Sequence, residues 1–165
     1  MRELTRLRAA CEARLAQITV PDPFTLETFC QAVAEHRDRP VRLHSIALAA
    51  PAQPFALWVG TDNADHIVVD AAATGWHRDH LACHEIGHML FDHTTDQAVT
   101  DQAAALLLPD LDPAMIRKVL GRHAYGTQQE REAEMTATVV LERAGHRPTG
   151  RFAALDAALG RTAGW

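Results

Sequence analysis

Residues 80–93, His-Leu-Ala-Cys-His-Glu-Ile-Gly-His-Met-Leu-Phe-Asp-His, hold four of the ten histidines in a chain of 165 residues. At the centre, His84-Glu85-Ile86-Gly87-His88 places two imidazoles four positions apart with a carboxylate beside the first. On an α-helix, positions i and i+4 are turned by only about 40° and separated by about 6 Å of rise, so both rings leave one face and can converge on one ion. Glu85 is turned about 100° from His84, where it can reach a water on that ion rather than the ion itself. With this composition such a five-residue pattern arises by chance about three times in a hundred sequences, so its context has to support it.

The context is helical. From Trp76 to about Asp92 there is no proline and one glycine, and the apolar residues Leu81, Ile86, Met89 and Leu90 cover the face away from the histidines. Gly87 has no side chain, which lets a second element approach the helix closely. The competing reading is that His84 and His88 are partly exposed helix residues and Glu85 a solvated charge. A catalytic zinc takes three protein ligands and leaves a fourth position for water, so a third donor must come from elsewhere in the chain.

A later segment can supply it. Thr127 to about Ala144, "TQQEREAEMTATVVLERA", reads as a helix stopped by Gly145 and Pro148. Glu130 and Glu134 share one face of that helix, while Glu132 points to nearly the opposite side and is expected in water. Glu130 can bind the metal, and Glu134 can reach the N–H of a ligating imidazole from behind. Three glutamates in the first turns of a helix also suit its macrodipole with no metal involved. His93 competes for the third position, but it follows His88 by five residues where the metzincin pattern needs six, and Phe91 stands where that pattern has glycine. His77, His80 and His93 are therefore expected mainly at the rim, and Cys83 as a buried, unreactive thiol.

The rest of the chain reads as helices around a small sheet. Leu4, Leu7, Cys11, Leu15 and Ile18 form one apolar helical stripe. Asp22-Pro23 reads as an N-cap with proline at the first helical position, opening a second helix to about Arg37. Residues 41–70 hold three short strand candidates, "VRLHSIALA", "FALWVG" and "HIVVD", expected to form a largely antiparallel sheet. "AAALLLP", "AMIRKVL" after Asp112-Pro113, and "FAALDAAL" read as short helices. The class is α+β in a single domain of residues 1–165, with an N-terminal helical segment over 1–40.

Composition excludes several functions. The net charge is −5, and the fifteen arginines and one lysine are scattered among acids, which disfavours direct nucleic-acid binding. The three cysteines, Cys11, Cys30 and Cys83, share no metal-type spacing and suit a reducing cytoplasm. The N-terminus lacks the apolar core of a signal peptide, and no run reaches the length of a membrane span.

"CHEIGHMLFDH" together with "EREAEMTATVVLERA" resembles the ImmA/IrrE-type metallo-endopeptidases, a gluzincin-like family. The resemblance covers about residues 41–145. It implies a zincin-like fold, zinc on His84 and His88, Glu85 as general base and Glu130 as third ligand. The family's usual Asn or Asp is replaced by Glu134, whose arm is one methylene longer, and the stretch between the two helices is longer than expected of the family. The resemblance also implies site-specific cytoplasmic proteolysis of a regulatory protein such as a helix-turn-helix repressor. The residues themselves lead as far as zinc-dependent hydrolysis, with an edge of the 41–70 sheet available to hold extended substrate and His123 and Tyr125 as the first oxyanion donors to consider. A reading from a different class keeps His84, His88 and Glu130 but has no use for Glu85: a zinc-stabilised, non-catalytic regulatory or toxin–antitoxin-type interaction module.

Overall fold

A computed structural model describes residues 2–47, 55–93, 116–120 and 126–146. The described elements are α1 (Arg2–Arg14), α2 (Leu26–Arg37), β1 (Val41–Ile46), β2 (Ala56–Thr61), β3 (Asp65–Asp70), α3 (Gly75–Leu90), β4 (Ile116–Leu120) and α4 (Thr127–Arg143). The α+β expectation holds. The helices expected at "AAALLLP" and "FAALDAAL", and His123 and Tyr125, lie outside the described residues.

The strands form one four-stranded sheet in the order β1-β3-β2-β4. β2 pairs antiparallel with both β3 and β4, but β1 runs parallel to β3, with Val41 opposite Asp65 and Ile46 opposite Asp70. All six residues of β3 are buried, which suits a central strand, whereas β1 has no fully buried residue, which suits an edge. β4 occupies the segment expected as the helix "AMIRKVL". It takes the outer edge of β2, so that side of the 41–70 sheet is already paired, and among the described residues β1 forms its other edge.

The helix boundaries depend on their caps. α2 begins at Leu26 rather than after Asp22-Pro23, because Thr25 is the N-cap: its hydroxyl accepts from the Thr28 N–H at 3.1 Å, and the Thr28 hydroxyl accepts from the Thr25 N–H at 3.3 Å. The core lies between the sheet and helices α2 and α3, where Phe29 and Val33 meet Trp58, Ile67, Ile86 and Met89. α4 packs on α3, and α1 packs on α4.

A buried polar knot fixes the motif helix against this core. Asp65, 2% exposed, accepts from Trp58 Nε1 at 2.9 Å and Arg39 Nε at 3.0 Å, and pairs with Arg37 at 3.4 Å. Arg39 also donates to the carbonyls of Thr61, Asp62 and Ala64, which braces the β2–β3 turn. Arg37 reaches the other way and donates to the Met89 carbonyl at 3.1 Å, satisfying the C-terminal end of α3. The strand turn, α2 and α3 are thus tied through one carboxylate.

Candidate metal centre

α3 carries His84 and His88 one turn apart, and their Nε2 atoms stand 3.1 Å from each other. The Glu130 carboxylate of α4 approaches both, at 3.4 Å from His84 Nε2 and 3.7 Å from His88 Nε2. These three residues can hold a metal ion. A tetrahedral ion with bonds of about 2.0–2.1 Å separates its ligand atoms by about 3.4 Å, so the observed spacings match the edges of such a polyhedron.

The approach of α4 depends on Gly87. A Cβ built there would lie 2.8 Å from Ala133 Cα and 3.0 Å from the Ala133 carbonyl oxygen, so no other residue fits without moving the helices apart. Ala133 and Ala137 of α4 are fully buried in the same interface. The glycine of the motif thereby sets how far Glu130 can reach.

The imidazoles of the cluster also have partners behind them, a carboxylate for His84 and a second histidine for His88. Glu134 Oε2 lies 3.4 Å from His84 Nδ1, the position expected from the sequence, so the longer arm still reaches. Its other oxygen lies 3.1 Å from Nε2 of His80, whose ring stacks on Trp76. Burial pushes the Glu134 carboxyl up, but the hydrogen bonds from His80 and His84 outweigh it and hold the group well below the usual carboxylate range.

The partners of His88 differ from expectation. His93 is 6% exposed rather than at the rim, and its Nδ1 lies 2.9 Å from His88 Nδ1. Its Nε2 lies 2.8 Å from Glu132 Oε2, so Glu132 turns toward His93 and is largely withdrawn from water rather than pointing into it. Its second oxygen accepts from Gln128 at 2.8 Å. The turn after α3 brings this about: Asp92 adopts a left-handed φ of 50°, and the His93 N–H returns to the His88 carbonyl at 3.0 Å. Short polar Asp is among the few residues that visit this conformation readily. Asp92-His93 directly after the motif helix is the signal in the sequence for this turn.

The protonation pattern follows from these contacts. If His88 presents the Nε2 lone pair to a metal, its proton is on Nδ1 and is donated to His93 Nδ1. His93 then carries its proton on Nε2 and donates it to Glu132, an acceptor only. The same logic holds His84, with Nδ1–H toward Glu134 and Nε2 free for the ion. Burial also drives the His88 pKa strongly down, which keeps its imidazole neutral.

Glu85 follows His84 on α3 and is 3% exposed. Cys83 is fully buried, and burial pushes its thiol far up, as expected of an unreactive residue. A cleft of about 1110 Å³ opens beside His84 and Glu130, between α1 and α4. No helix among the described residues is long and apolar enough to cross a membrane.

Compared with family models, characterised proteins and solved structures, the chain matches none.

Proposed function

We propose that the protein is a zinc-dependent metallopeptidase. The observation that carries this reading is the convergence of His84 Nε2, His88 Nε2 and Glu130 at 3.1–3.7 Å, on one side of an open cleft. Two imidazoles and one carboxylate form a donor set suited to catalytic zinc, which keeps its fourth position for water. A zinc ion held there supplies Lewis acidity and brings the pKa of water to about 7. Glu85 takes the proton of the attacking water and hands it to the leaving amine. Glu134 and the His93–Glu132 pair keep the two imidazoles in the tautomers that bind. Glu85, next to His84 in the sequence, gives the enzyme a proton acceptor that the interaction module does not require, and that favours the enzyme. The substrate class suggested by the sequence resemblance is a cytoplasmic regulator such as a helix-turn-helix repressor.

Glu85→Gln tests the reading, because the amide is nearly isosteric but cannot accept the water's proton. The expected result is one zinc per chain in both proteins by elemental analysis, unchanged melting, and peptide cleavage by the wild type alone. Protein that carries no metal and melts identically with and without added zinc sinks the metal site. A cellular phenotype that survives Glu85→Gln but is lost in His84→Ala decides for the interaction module.

A further inference from the structure

The apolar stripe of α1 changes character along its length. Cys11 and Leu15 are fully buried against the rest of the fold, but Leu7 is only half-buried and Leu4 is 64% exposed. Leu4 is the one large apolar side chain among the described residues to stand so far in water. Where the stripe emerges, it lines the cleft that contains His84 and Glu130, opposite Met135 of α4.

The charges of α1 divide in the same way. Arg8 pairs with Glu12 at 2.9 Å and Glu142 at 2.7 Å, and Arg14 lies over the Phe91 ring at 5.2 Å. Arg2 and Arg6, one turn apart, line the cleft, and among the described residues they make no ion pair. The nearby Glu3 is neutralised by Arg131 at 2.9 Å, and Glu132 is engaged by His93 and Gln128. Among the described residues, Arg2 and Arg6 are the cleft-lining cations left without a carboxylate in contact on the α1 wall, while Glu130, Glu132 and Glu134 line the α4 wall.

We infer that the first two turns of α1 form the specificity wall of the site and select peptide segments that pair an aliphatic side chain with flanking Asp or Glu. The aliphatic group covers Leu4, Leu7 and Met135, removing from water apolar surface that the fold leaves exposed. The flanking carboxylates meet Arg2 and Arg6, whose planar forks suit bidentate contact. This inference names the substrate class of the site and rests on the peptidase reading.

The test uses zinc-loaded Glu85→Gln protein and three fluorescein-labelled ten-residue peptides in which Leu alternates with Glu, Gln or Lys, read by fluorescence polarisation. Two partly exposed charge pairs predict that the Glu peptide binds about 3- to 10-fold tighter than the Gln peptide. The Lys peptide should bind weakest. Adding Arg2→Glu and Arg6→Glu should invert that order with zinc content unchanged, and Leu4→Ser should weaken all three peptides together. A preference for Glu that survives the charge reversal, or no binding of any peptide, overturns the inference. Wild-type protein is then given the same peptides and the cut products are followed. Binding that obeys the charge rule with no cleavage leaves the specificity wall standing and removes the peptidase; cleavage indifferent to Arg2 and Arg6 does the reverse.

Discussion

Replacing Glu132 with alanine provides a sharp test of the geometry behind His88. On helix periodicity alone this glutamate faces water, and its loss should be neutral. In the structure it lies 2.8 Å from His93 Nε2, and His93 in turn lies 2.9 Å from Nδ1 of His88, which is fully buried. Without the carboxylate, the proton on His93 Nε2 loses its 2.8 Å acceptor, and His93 can more readily present N–H rather than a lone pair to His88. Part of the His88 population is thereby held in the tautomer that cannot bind. Removing a partner that orients a ligand costs about 10- to 100-fold in metal affinity, or about 1.4–2.8 kcal/mol. The expected order of zinc affinity is wild type, then Glu132→Ala and Glu134→Ala at comparable loss, then Glu130→Ala far below. Glu132→Gln should recover most of the loss, because its amide oxygen still accepts from His93. Competition with a chromophoric chelator at fixed pH measures all four variants. If Glu132→Ala binds within about twofold of wild type while Glu134→Ala falls by tenfold or more, the His93–Glu132 pair does not support the metal.

Two further predictions concern the scaffold. Gly87→Ala places a methyl group against backbone atoms of Ala133, so it should cost about 1–3 kcal/mol in urea denaturation and lower zinc affinity as Glu130 withdraws; equal stability and affinity would mean the two helices can separate freely. His66 is 2% exposed, and burial, with the nearby His44 and Arg42, lowers its pKa to about 4 from the ordinary 6.5. The unfolded chain therefore takes up that proton first as pH falls, so the share of stability due to His66 is constant above about pH 6.5 and is lost toward pH 4, by about 3 kcal/mol. Apo protein carrying His66→Leu should lose that part of the slope in denaturation series at pH 7 and 4.5, and superimposable slopes would refute the assignment.

What the sequence disclosed depended on how far each feature repeats. The two long helices, with proline-free stretches and a consistent apolar face, were legible nearly to their ends, and with them His84, His88, Glu130 and Glu134. A period of two identifies a strand but not its neighbour or direction, so the parallel pairing of β1 with β3 was not visible. "IRKVL" is five residues long, too short for its own pattern to choose between helix and strand, and the free edge of β2 decided it. The position of His93 is not legible from a helical period, because it depends on one left-handed residue, Asp92.

Glu130, Glu132 and Glu134 come from little more than one turn of α4, whereas both imidazoles of the cluster come from α3. Docking α4 therefore concentrates negative charge in a partly buried seam, and a divalent cation held by His84, His88 and Glu130 would supply the opposing charge. An ion bound only by the folded chain stabilises it by mass action, by about 2.7 kcal/mol at a free concentration of 100 times Kd and about 4.1 kcal/mol at 1,000 times. Against the total of about 5–15 kcal/mol typical of a domain, that is a large share. On the zinc reading proposed above, the free concentration of the ion would then set the lifetime of the chain: depletion would loosen α4 from α3, raise the unfolded fraction and expose the protein to degradation.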